Sequence, residues 1–190
     1  MAQLLRTPRI AFASLLIASP LLAAPLPVAA ADSEAAQGER TAADFAGSFR
    51  YVGGDGERER AHAAVDEIVE ELNVLIRGTA RRLLRKTATP ASAIAIKVEG
   101  DVVTIDAGKD PIPLTLGGAA VEFRGEDGKH YSMTARLRGD KLVLRIVGNG
   151  STTVKTYRLG GDGARLTVKT TIDHPMMHKP LEYAFSFRRK

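Results

Sequence analysis

The stretch HYSMTARLRGDKLVLRIVGNGSTTVKTYRLGGDGARLTVKTTI, residues 130–172, decides the fold. Apolar and polar residues alternate along it with period two. Turn chemistry punctuates it: Gly139-Asp140, Gly148-Asn149-Gly150 and Gly160-Gly161-Asp162-Gly163. Successive side chains in a strand leave opposite faces. Tyr131, Met133, Ala135 and Leu137 therefore share one face, and Ser132, Thr134 and Arg136 share the other. Short strands joined by tight turns predict an antiparallel meander.

The same pattern continues to either side. Strands are expected near residues 92–99, 102–107, 111–115, 119–124, 130–138, 141–147, 152–159, 165–172 and 182–188, with a first strand near 45–52. Strands 102–107 and 141–147 are apolar on both faces and call for cover on both sides. Between the first two strands, residues 57–86 form the one long helical pattern. Val65, Ile68, Val69, Leu72, Leu75, Ile76, Leu83 and Leu84 recur there at helical spacing. Acidic residues fill its first half and basic residues its second, and Gly78 is its expected weak point. A meander of about ten strands curls or closes, which removes its edges. The fold expected is mainly β: a single antiparallel barrel or strongly curved half-barrel, with one long α-helix inserted between strands 1 and 2, and that helix as the only cover for the two-sided strands.

Residues 1–31, MAQLLRTPRIAFASLLIASPLLAAPLPVAAA, have the charge pattern of an export signal. Arg6 and Arg9 precede an uncharged apolar run that ends in Ala29-Ala30-Ala31. Pro20, Pro25 and Pro27 oppose a continuous spanning helix. The expectation is cleavage after Ala31, periplasmic or secreted localisation in a bacterium, and no transmembrane segment afterwards. Residues 32–42 read as a flexible tail and 43–190 as the barrel domain.

The 190-residue sequence has 27 Lys and Arg, 22 Asp and Glu, no Cys and no Trp. Absent cysteine excludes disulfides, thiolate metal sites and Cys nucleophiles. Loss of Arg6 and Arg9 takes the net charge from +5 to +3, spread along the chain, which is no nucleic-acid footprint.

The opening Phe45-Ala46-Gly47-Ser48-Phe49 followed by a β-meander resembles the lipocalin and fatty-acid-binding-protein superfamily. That resemblance implies a small barrel holding an apolar ligand. The fatty-acid-binding branch also inserts helical residues between its first two strands, as a helix-turn-helix, where the periodicity here predicts one helix. The lipocalin signature has a Trp after the Gly, and none stands here.

All nine aromatics beyond residue 31 fall in expected strands. Tyr51, Tyr131, Tyr157, Tyr183 and Phe185 are candidates for an apolar wall with hydroxyl handles, and Arg145 or Arg158 for pairing an acidic head group. No catalytic triad, G-x-S-x-G or S-x-x-K occurs, so no catalytic residue and no cofactor is nominated. Asp173-His174-Pro175-Met176-Met177-His178 has metal-friendly residue types, but Pro175 and Pro180 deny His174 and His178 a shared helix face. The leading expectation is a carrier of a small apolar or amphiphilic molecule. The alternatives are an envelope interaction module with a filled barrel, docking a protein or polymer, and a metal-dependent enzyme using His174 and His178.

Overall fold

The computed structural model describes residues 40–108 and 110–190, so the expected signal segment and most of the expected tail lie outside the described residues. A short 3-10 helix, Ala42–Phe45, opens the described chain. It leads into β1 (Gly47–Tyr51), α1 (Gly54–Glu70) and α2 (Val74–Thr87). Nine strands follow: β2 (Ala93–Glu99), β3 (Val102–Asp106), β4 (Pro113–Thr115), β5 (Val121–Arg124), β6 (His130–Arg138), β7 (Lys141–Gly148), β8 (Ser151–Leu159), β9 (Arg165–Asp173) and β10 (Leu181–Arg189). Phe45 therefore lies in the 3-10 turn and not in the first strand.

The ten strands form one antiparallel sheet in the order β4-β3-β2-β1-β10-β9-β8-β7-β6-β5. First and last strands pair, with Arg50 opposite Arg188 and Tyr51 opposite Phe187. The free edges are β4 and β5. Leu116, just past β4, forms a parallel bridge to Ala135 of β6, and the Gly117 N–H donates to the Ala135 carbonyl at 2.8 Å. The result is a nearly closed barrel.

Cross-strand register fixes which side chains point inward. The Gly139 and Gly160–Gly163 turns lie at one end, the floor. There Phe49, Val103, Leu142, Leu159, Leu166 and Phe187 are each at most 2% exposed. Arg189 locks this end. Its guanidinium lies 4.7 Å over the Phe49 ring and donates to the carbonyls of Asp44, Ala46 and Gly163. Arg40 donates to the Gly160 and Gly161 carbonyls, so the last residues of the expected tail are held by the 160–163 turn.

The expected single helix is two helices, and the break falls at residues 71–73, not at Gly78, which lies inside α2. The Asn73 side chain accepts from the Leu75 N–H at 3.0 Å, starting a new helix. Arg77 folds back to donate to the carbonyls of Glu70 and Leu72, satisfying the last turn of α1. The charge polarity read along the sequence becomes a pairing across the hairpin. Asp66 bridges Arg81 and Arg85, and Glu70 meets Arg77 and Arg81, over 2.6–3.4 Å.

Ala61, Val65, Ile68 and Val69 of α1 are buried. The helix pair sits over the barrel mouth. The Tyr183 hydroxyl donates to the Thr87 carbonyl at 3.0 Å, Lys86 pairs with Glu126 of the β5–β6 turn, and Lys179 pairs with Glu67. None of the α2 side chains is buried, and Leu75 is 87% exposed. The helices do not cover the outer faces of the two-sided strands. Val143 stands between Arg136 and Thr156 in register, half-buried on the outside of the wall. Long basic side chains with aliphatic stems flank it, which is the cover such a position takes in water.

Candidate functional site

The inward face divides into two halves. At the floor, Phe49, Val103, Leu142, Leu159, Leu166 and Phe187 are tightly packed, with Leu137 and Val98 half-buried beside them. Towards the mouth, the inward residues of β5 to β8 are half-buried: Phe123, Tyr131, Met133, Ile146, Thr153 and Lys155. Register places them side by side, with Phe123 opposite Tyr131, Met133 opposite Ile146 and Ile146 opposite Thr153. This lining is mostly apolar with three polar groups, on Tyr131, Thr153 and Lys155, the composition of a small-molecule pocket.

A polar row crosses the wall at this level. Lys155 on β8 lies opposite Thr170 on β9, and Thr170 lies opposite Tyr183 on β10. Thr170 is 3% exposed, the one polar side chain in the buried core among the described residues. Burial pushes the Tyr183 hydroxyl up to about 12, with the Thr170 hydroxyl working weakly against it. One step towards the floor, Tyr157 faces inward between Leu142 and Val168, and burial alone raises its hydroxyl well above the phenol range. Both phenols thus stay neutral donors.

The sequence-nominated residues divide by this geometry. Tyr183, Phe185 and Tyr51 form an inward aromatic chain along β10 and β1, with ring centroids 5.4 and 5.9 Å apart. Tyr51 is a rim residue. Its hydroxyl donates to the Gly54 carbonyl at 2.7 Å, its ring carries Arg58 at 5.1 Å, and desolvation raises its pKa. Tyr131 is also at the rim. It stacks on Phe123 at 5.6 Å and donates to Asp127 at 2.8 Å; desolvation and then that carboxylate raise its pKa.

Arg145 and Arg158 stand on the outside of the barrel, which corrects the expectation for both. Arg145 lies opposite Thr134 and Val154, and is exposed. Arg158 is exposed and pairs with Asp140 at 3.1 Å. Strand parity is the reason: Leu144 and Ile146 flank Arg145 and take the inward positions, as Tyr157 and Leu159 do around Arg158. The inward cation at this level is Lys155. Its signal in the sequence is its even spacing from Tyr157.

The β9–β10 loop does not assemble a metal site. The His174 Nδ1 accepts from the Met176 N–H at 3.1 Å, and no three His, Cys, Asp or Glu side chains converge among the described residues.

No family model and no curated protein matches the sequence. Solved structures with the same fold do. A variant of the REP1-NXSQ fatty acid transporter is similar at TM-score 0.50 and 17% identity, covering 78% of this chain and 100% of its own. Apo lipid binding protein 8 of Caenorhabditis elegans is similar at TM-score 0.51 and 13% identity, covering 79% and 98%. A secretary abundant heat soluble protein of Ramazzottius varieornatus is similar at TM-score 0.50 and 12% identity, covering 80% and 99%. The chain has the barrel fold of the fatty-acid-binding proteins and related calycins, with two helices between its first two strands.

Proposed function

We propose that this chain carries a small amphiphilic molecule inside the mouth half of its barrel, acidic head towards Lys155, Thr170 and Tyr183 and apolar tail along Met133, Ile146 and Val121. The observation that supports this reading is the uneven filling along β7 and β8: Leu142 and Leu159 at the floor are at most 2% exposed beneath a half-buried apolar lining crossed by one polar row. The fatty acid transporter and lipid binding protein of the same fold fit the ligand class. Export also belongs to the proposal, since residues 1–31 have the charge pattern of a cleaved signal.

The test is a titration of delipidated protein with a fluorescent long-chain acid and its methyl ester. Wild type is expected to prefer the acid by about 10–100-fold, the worth of one charge-assisted hydrogen bond of roughly 1.5–3 kcal/mol. Lys155→Met erases that preference while retaining the ester. Failure of both probes, and of a wider amphiphile panel, overturns the carrier reading. Intact mass of the exported chain tests cleavage after Ala31.

A further inference from the structure

The outer wall at the floor end holds an arrangement that neither the carrier reading nor folding explains. Arg50, Arg188 and Arg165 stand directly opposite one another across β1, β10 and β9. On the next outward row, Arg138, Lys141 and Arg158 stand directly opposite one another across β6, β7 and β8. Like charges directly opposite on one sheet face destabilise the sheet, because their Cβ atoms are only about 4.5–5.5 Å apart. Two such triplets abut, since Arg158 and Arg165 are diagonal neighbours on adjacent strands. Of the six, Arg158 alone has an ion pair among the described residues, with Asp140. Lys141 is half-buried and the other five are exposed. Beside Arg165 and Arg188 the 160–163 turn encloses an open hollow of about 570 Å³, whose Asp162 side chain is engaged by the Ala164 N–H.

We propose that this belt is a docking surface for a flexible linear polyphosphate, a polymer bearing phosphate groups at short intervals. The cations run across six neighbouring strands of ten, about half the way round the barrel. A lipid surface is flat and meets only part of such a convex belt, whereas a flexible chain wraps it. The steps between cations are about 5 Å across strands, close enough for consecutive anions of one chain to bridge neighbours. Five of the six are arginine, whose planar fork takes two oxygens of one oxyanion. The inward assignment of every strand aromatic leaves no ring on these outer faces to stack on a base, so the surface reads charge alone. An anion bridging each triplet turns its repulsion into a bound state.

The experiment measures binding of the full chain to inorganic polyphosphate, to polygalacturonate and to anionic phosphatidylglycerol vesicles, across salt. Two triple variants are compared: Arg50→Gln/Arg165→Gln/Arg188→Gln, and the charge-matched Arg60→Gln/Arg82→Gln/Lys97→Gln on other faces. Polyphosphate binding is expected, with a slope of log affinity against log salt that falls by about 2–3 in the belt variant and not in the control. Polygalacturonate bound more tightly than polyphosphate would overturn the phosphate assignment. Melting without polymer gives a second readout: the belt variant melts above wild type at low salt, because repulsion is removed, and the control does not. Equal loss in both variants, vesicles bound more tightly than either polymer, no polymer binding at about 0.15 M salt, or a belt variant that melts lower would each overturn the proposal.

Discussion

Replacing Leu142 and Ile146 separately by Trp distinguishes a barrel filled at one end from a barrel filled throughout. Both residues point inward from β7, four positions apart on one face. Leu142 is 0% exposed, wedged between Leu137 and Tyr157 in register, whereas Ile146 is half-buried between Met133 and Thr153. An indole forced into the packed floor costs about 1–3 kcal/mol, from displaced neighbours and unfavourable rotamers. For a domain of this length that lowers Tm by about 3–10 °C. Ile146 is only half-buried, so the added ring is not forced against packed neighbours on every side, and stability should stay within about 0.5 kcal/mol of wild type. The same ring occupies ligand volume, and affinity for the fluorescent acid should fall at least about tenfold, equivalent to about 1.4 kcal/mol. The natural chain has no Trp, so each variant carries a single reporter whose emission follows melting and ligand entry. Equal destabilisation by the two substitutions, or an Ile146→Trp protein that binds the acid as wild type does, refutes the division into floor and chamber.

Three further outcomes follow from other parts of the molecule. Arg189→Ala removes three hydrogen bonds to carbonyls and the contact with Phe49, and should cost about 2–4 kcal/mol by chemical denaturation, with little effect on ligand affinity. Asp66 is held below its ordinary value of 3.8, first by its hydrogen bond to Arg85, then by the charges of Arg85 and Arg81. A depressed carboxylate stabilises above its unfolded pKa and loses that contribution as pH falls through the folded one. Protection of the α2 amides, measured relative to intrinsic exchange at each pH, should therefore fall as pH drops below 3.8, and Asp66→Asn should show that lower protection already at neutral pH. Leu159→Ala, at 2% exposure in the floor, should cost about 2–5 kcal/mol and leave the acid-over-ester preference intact.

The strands were legible because two independent signals agreed: alternation along each strand, and Gly- or Asp-containing turns between them. Residues 130–138 were readable end to end, since every second side chain is apolar and Gly139-Asp140 closes the strand. Strand order beyond the meander was not legible. The pairing of β1 with β10 and the Leu116 bridge that nearly closes the barrel are long-range contacts with no local signature. The helix break was missed because the apolar spacing runs on from α1 into α2. What interrupts it is the Asn73 cap and the Arg77 side chain folding back, both legible only once the hairpin exists. The nominated aromatics face inward because strand aromatics share parity with the core. Taken singly, Arg145 and Arg158 carry no sign of which way they face. Counting parity from Tyr157 places Lys155 inward and Arg158 outward in one step.

The central claim is that the mouth half of the barrel holds a ligand. Native mass spectrometry of the protein, purified without detergent from the cells that make it, tests that most directly. A carrier retains an adduct of a few hundred daltons that leaves on denaturation, and Ile146→Trp prepared in parallel lacks it. A wild-type chain that is bare, and that stays bare after incubation with a panel of acidic and neutral amphiphiles, contradicts the claim.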